Sequence, residues 1–275
     1  MNTPSPWLAK NLADERWFGE GQPNWKHLPS VEKAQIERLK RVRLLKKHRH
    51  PELMTALAAC APGKRCLSGC CPECGRAMQR FVATKASQLL TPYNEYDVAS
   101  IIGRTQRLQG NLRTLPAAKF RDHLLRTLRR GRAGLALGGI DFSFNEFPAT
   151  DRLARWVPHF WLLIHNANRP RWERVVRETY LAKALIRPRP IRIDPWDGNI
   201  EALGYALKTK FDRRISKVTY RFARGKVREC KNTTSDRLRA NERVELFLYL
   251  HEIGLEGRLV LFEVTKARGG FDVAS

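Results

Sequence analysis

Acidic residues are scarce in this chain: 27 Asp and Glu stand against 51 Lys and Arg among 275 residues, a formal net charge of +24. A surplus of that size repels itself in a compact body unless a polyanion neutralises part of it, which makes nucleic acid the expected partner. The plain alternative is a solvated basic surface of the kind found on ribosome-associated proteins. Long apolar runs are also missing, since none approaches the roughly 18 residues of a spanning helix. The amino terminus has no signal-peptide core. These absences argue against a membrane partner and predict a cytoplasmic, nucleoid-associated protein. No Gly-rich loop ends in Gly-Lys-Ser or Gly-Lys-Thr, no serine sits in a nucleophile elbow, and Gly138-Gly139 precedes a strand instead of opening a helix. An ATPase or serine hydrolase is therefore disfavoured, and no internal repeat is visible.

Cysteine is nearly absent outside one stretch. Cys60, Cys66, Cys70, Cys71 and Cys74 crowd together, ending in Cys71-Pro72-Glu73-Cys74-Gly75, while Cys230 stands alone. In a cytosolic chain such thiols are poor disulfide candidates. A Cys-x-x-Cys followed by Gly gives the tight turn in which two thiolates share one zinc ion. A structural zinc is expected on Cys71 and Cys74, completed by Cys66 and Cys60, with Cys70, His48 or His50 as substitutes. A reduced or redox-active set of thiols is the alternative.

Four regions follow along the chain. Residues 1–29 carry Trp7, Trp17 and Trp25 without sustained period and read as an arm that docks through aromatic anchors. Residues 30–94 hold a helix capped by Ser30, with Ile36, Leu39, Val42 and Leu45 facing inward and Lys33, Lys40, Arg41 and Lys47 outward, followed by the cysteine module. Residues 95–232 alternate strands with helices. Strands are expected over 97–108, 140–147, 156–165 and 191–193, and helices over 116–132, 171–186 and from Asn199. Phe120, Leu124, Leu125 and Leu128 form the inner stripe of the helix expected over 116–132, and Trp172, Val175, Val176 and Tyr180 that of the helix expected over 171–186. Between Lys208 and Lys231 basic residues far outnumber Asp212 and Glu229, with Phe211, Tyr220 and Phe222 interleaved. Residues 233–275 supply a last helix and strand. This order predicts an α+β fold of ferredoxin-like type, an antiparallel sheet backed on one face by helices.

Two short motifs lie in that alternation. The strand Trp156-Val-Pro-His-Phe-Trp161 carries His159 with a second large side chain two residues on, and Tyr205-Ala-Leu-Lys208 follows on a helix. With the order of elements over roughly residues 95–265, these motifs resemble the HUH endonuclease superfamily, in particular the rolling-circle replication initiators of plasmids and phages and the single-tyrosine transposases. The resemblance implies a sheet strand whose paired histidines and a third polar ligand hold Mg²⁺ or Mn²⁺ against the scissile phosphate, while a tyrosine attacks phosphorus and stays on the 5′ end. Here His159 matches the first histidine and Trp161 replaces the second. An indole cannot ligate a metal. Asp141 and Glu146 are the candidates to complete a cation site, since hard cations favour oxygen.

Tyr205 is then the expected nucleophile and Lys208, one helical turn on, its phosphate partner. Trp161 is a candidate base-stacking surface, and Arg126, Arg129, Arg130, Arg213, Arg214 and Arg221 are candidate phosphate contacts. The implied protein is a DNA-binding initiator of a mobile element that takes single-stranded or hairpin DNA, with replication proteins or further copies of itself as partners. Two other readings stand beside it: a non-catalytic DNA-binding protein with a degenerate HUH fold, and an RNA-binding or ribosome-associated zinc protein.

Overall fold

The computed structural model describes residues 5–20, 28–90, 92–103, 105–148, 152–181, 190–223 and 226–274. Trp25 and the carboxyl end of the helix expected over 171–186 lie outside them. The first helices are α1 (Pro6–Asn11), α2 (Val31–Lys47), α3 (Pro51–Ala58) and α4 (Pro72–Ala86). Ser30 caps α2 by accepting from the Lys33 amide at 3.2 Å, satisfying one of the four orphan donors of a helix start. The buried stripe of α2 is Ala34, Arg41 and Leu45. Ile36 and Leu39, expected inside, are exposed. Arg41 turns inward because two carbonyls await it: it donates to Cys70 at 2.7 Å and to Thr209 at 2.9 Å. Helix α4 starts directly from Cys71, with Pro72 in the first-turn position where a missing N–H costs nothing. It is buried on nearly every side, and its Arg76 donates to the carbonyls of Pro29, Phe18 and Gly19. Trp7 and Trp17 both meet Phe81 of this helix edge-on, at 5.5 and 5.4 Å between ring centroids.

Next come β1 (Tyr96–Ile102), β2 (Arg107–Leu108), α5 (Ala117–Gly131), β3 (Ala136–Glu146), β4 (Arg155–His165), α6 (Arg169–Leu181), β5 (Ile191–Pro195) and α7 (Glu201–Ala206). The chain closes with β6 (Asp212–Ala223), β7 (Lys226–Arg237), α8 (Ala240–Ile253), β8 (Leu259–Phe262), β9 (Val264–Ala267) and β10 (Gly270–Val273). Strands β9 and β10 pair with each other, and the rest form one sheet in the order β5-β1-β4-β3-β6-β7, with β2 on β4 and β8 on β3. The fold is α+β, as expected, but the sheet is mixed instead of antiparallel throughout. Its β3–β6 pair is parallel and spans only Phe144↔Arg213 to Glu146↔Ile215. The first half of β3 pairs with β8 along that same edge.

Helices cover both faces, not one. Side chains alternate along a strand, so Phe160 and Phe142 share one face while His159, Asp141 and Trp161 share the other, with Asp141 directly opposite His159 in the ladder. On the Phe160 face, Phe120 of α5 stacks at 4.2 Å and Tyr249 of α8 meets Phe142 edge-on at 5.4 Å. On the other face α7 crosses β3, with α4 behind it, where Gln79 donates to the Gly204 carbonyl at 2.7 Å. Gly138 and Gly139 lie inside β3 and do not break the chain before it. A Cβ on Gly138 would fall 2.0 Å from the Trp161 carbonyl oxygen, and one on Gly139 would fall 2.7 Å from that of Ala206. Their role is close approach of backbone to backbone, and at Gly139 this admits α7 to the sheet.

Candidate functional site

Two groups of side chains merit chemical reading. The first is the cysteine cluster. The Sγ atoms of Cys60, Cys66, Cys71 and Cys74 all lie within 4.8 Å of one another. Three separations are 3.7 Å for Cys60–Cys74, 3.7 Å for Cys66–Cys74 and 3.8 Å for Cys60–Cys71. Zinc–sulfur bonds of about 2.3 Å in a tetrahedron place sulfurs roughly 3.8 Å apart, so the four could hold a metal such as zinc. Cys70 is not among them. Its thiol sits 3.3 Å from Ser68 Oγ, and burial pushes its pKa up to about 12. Contacts with Cys66, Cys71 and Cys74 pull the Cys60 thiol well down, whereas burial pushes Cys71 up and contact with Cys60 pushes Cys74 up. Four adjacent sulfurs cannot all ionise unless a cation offsets their mutual repulsion. Glu73, between the last two cysteines, ties the turn to its surroundings through Arg38 Nε at 2.5 Å and Arg65 Nη1 at 3.1 Å.

The second group lines a cavity of about 510 Å³ on the exposed part of the sheet, bounded by β1, β4, β5 and α7. His159, Trp161, Tyr205, Arg192 and Arg214 all border it together with Asp194, Asp197 and Glu201, and Arg192 pairs with Asp194 at 2.5 Å. His159 Nε2 lies 3.1 Å from Asp141 Oδ2, and Lys208 Nζ lies 2.8 Å from the same oxygen. Lys208 also donates to the Tyr205 hydroxyl at 3.4 Å and stands 4.7 Å from the centre of its ring. Tyr205 meets Trp161 edge-on at 6.3 Å. Asp141, His159, Lys208 and Tyr205 thus form a continuous chain of contacts from the buried sheet to the cavity.

Charge fixes the inner half of that chain. Burial alone would raise the Asp141 pKa, but Lys208, His159 and Arg258 outweigh it and hold the carboxyl well below its usual range. Burial would likewise lower the Lys208 pKa, yet Asp141 and Tyr205 keep it raised, so the side chain stays an ammonium. Arg258 pins the helix that carries the outer half. It donates to the Ile140 carbonyl of β3 at 2.8 Å and to the carbonyls of Ala206, Leu207 and Lys208 at 3.2, 3.3 and 2.9 Å. These are the orphan acceptors at the end of α7, and burial lowers the Arg258 pKa to about 10.

No family model, curated protein or solved structure matches this chain.

Several residues singled out in the sequence go elsewhere. Glu146 ends β3 in an ion pair with Arg213 at 2.8 Å and approaches Arg239 at 3.8 Å. It does not join His159 and Asp141. Among the described residues the four cysteines are the only group of His, Cys, Asp or Glu close enough to share an ion. Arg213 is buried between Glu146 and Glu242, so it offers no guanidinium to a phosphate. Arg126, Arg129 and Arg130 are exposed, but on α5, across the sheet from the cavity. Arg214 does border the cavity, and the side chain of Arg221 lies outside the described residues. Sequence reasoning missed Arg258, whose burial depends on carbonyls from two distant elements. It also missed Arg192 and the pairing of Lys208 with Asp141. No helix is long and apolar enough to cross a membrane among the described residues.

Proposed function

We propose that this protein is a nucleic acid-binding, replication-initiator-like protein of a mobile element, with a zinc-bearing amino-terminal module and an HUH-like sheet. It takes a single-stranded phosphodiester into the cavity, where Tyr205 is the nucleophile. The observation that carries this reading is the chain Asp141–Lys208–Tyr205 opening beside His159, Trp161 and Arg214. A lone pair of Tyr205 Oη forms the bond to phosphorus, the P–O3′ bond breaks, and the phenolic proton replaces phosphorus on the departing oxygen. Lys208, held as an ammonium by Asp141, steadies the phenolate as it develops. Trp161 offers a face on which an unpaired base stacks, and Arg214 supplies charge to the phosphates. In the module behind α7, Cys60, Cys66, Cys71 and Cys74 hold zinc as a structural ion.

A second reading has its own support. Trp161 replaces a ligand, and Lys208 already occupies the acceptor oxygen of Asp141, which favours a non-catalytic protein that keeps the fold for binding. Incubation of the protein with 3′-labelled single-stranded and hairpin DNA in Mg²⁺ or Mn²⁺ separates the two. The expected result is a denaturation-resistant labelled adduct that Tyr205→Phe abolishes. DNA bound with full affinity but never joined to the wild-type chain would select the non-catalytic reading. Tighter binding of RNA than of DNA at matched salt would select the ribosome-associated one.

A further inference from the structure

Strands β6 and β7 form a ribbon that leaves the sheet. Strand β6 touches β3 only as far as Ile215, and from Ser216↔Thr233 to Ala223↔Lys226 the two strands pair with each other alone. At about 3.3 Å per residue, that stretch reaches roughly 26 Å beyond the sheet. Val218, Tyr220 and Phe222 alternate along β6 and therefore share a face, with Val227 directly opposite Phe222. Their exposures are 37% for Val218, 71% for Tyr220, 76% for Phe222 and 68% for Val227. The sequence from Ser216 to Thr233 also holds six basic residues against the single acid Glu229.

An isolated two-stranded ribbon is marginal in water, and an exposed apolar row on it marks a surface that something covers. A second copy of this chain would bring like charge against like. A nucleic acid duplex answers both features: its groove admits a two-stranded ribbon, its negative charge offsets the basic excess of the segment, and apolar side chains at the tip can wedge against a base step. Arg214, at the root of β6, borders the cavity, so the ribbon starts where the single strand would end.

We propose that the β6–β7 ribbon is a duplex-binding arm, and that the preferred ligand is a junction with its single strand in the cavity and its double strand along the ribbon. The junction preference rests on the function proposed above, whereas binding of a duplex by the ribbon does not. The test compares the full-length protein with Tyr220→Ser/Phe222→Ser, by fluorescence anisotropy at about 0.15 M salt. One probe is a blunt DNA duplex and the other a single-stranded oligonucleotide. The double variant is expected to lose about tenfold or more in duplex affinity, as removal of aromatic contacts to bases does, while single-strand affinity stays within about twofold. Unchanged duplex affinity in the double variant would overturn the proposal. So would an equal loss on both probes, or a wild-type oligomer that the substitutions dissociate. Zinc content and thermal midpoint equal to wild type establish that the variant is folded. Because the blunt duplex has no unpaired strand, failure of the Tyr205 chemistry leaves this outcome intact.

Discussion

The cysteine knuckle draws four like side chains from a short stretch of chain to within 4.8 Å of one another. The cavity draws four unlike ones, Asp141, His159, Tyr205 and Lys208, from β3, β4 and the end of α7. In the knuckle, local spacing around one turn does the work, and each sulfur is chemically equivalent to the next. In the cavity every role is distinct, and geometry depends on strand register and on how closely α7 can approach the sheet. The two regions touch through Arg41, which bridges the Cys70 and Thr209 carbonyls. A metal in the knuckle would thereby help fix the segment that follows Lys208.

The largest expected effect breaks the knuckle. Cys74→Ser should lose bound zinc and unfold the amino-terminal module, because binding energy at structural zinc sites, on the order of 10 kcal/mol, is folding energy. Cys70→Ser should keep the zinc content of the wild type, since that thiol faces Ser68 instead. Elemental analysis and thermal melting decide the matter, and metal loss from both variants alike would show the ligand set to be wrong.

A smaller effect is expected at the inner end of the cavity. Asp141→Asn removes the partner of a buried ammonium, a change that costs about 3–5 kcal/mol, measurable as a shift in the urea midpoint. Acid should mimic it. The folded-state pKa of Asp141 is depressed, so its stabilisation is complete above the unfolded value of about 3.9 and is lost as pH falls below that toward the folded value. The wild type should therefore lose stability over that acid range, and Asp141→Asn should lose less of it. Parallel pH profiles for the two proteins would show that Asp141 contributes nothing.

Legibility followed the same division. The Cys71-Pro-Glu-Cys74 turn is a short-range pattern that could be read directly, and so is the proximity of Tyr205 and Lys208, although α7 ends at Ala206 and Lys208 lies just beyond the helix on which it was expected. That Asp141 stands opposite His159 depends on the alignment of β3 with β4, which no local pattern encodes. Glu146 looked like a ligand because its partner Arg213 arrives from a parallel strand far along the chain. Arg41 looked like surface charge because the carbonyls that bury it belong to other elements. The ribbon had a signal that went unused. Val218, Tyr220 and Phe222 alternate with period two, yet the segment was read only for its excess of Lys and Arg with interleaved aromatics.

The finest test of the comparison leaves all four cavity side chains in place. Gly139 is where α7 meets β3, and an added methyl would come within 2.7 Å of the Ala206 carbonyl oxygen and 2.9 Å of Leu207 Cδ2. The first of these is backbone, and Arg258 fixes that same carbonyl from the other side, so the helix end must move. Overpacking of this kind costs about 1–3 kcal/mol, less than loss of Asp141. Its functional cost should be larger in proportion, because a displacement of about 1 Å at a reacting group can cost on the order of a hundredfold in rate. Gly139→Ala should therefore retain zinc, bind duplex through the ribbon as before, and form the Tyr205 adduct far more slowly. If adduct formation kept its wild-type rate despite the methyl, close apposition of α7 to the sheet would not be what sets the geometry of the tyrosine.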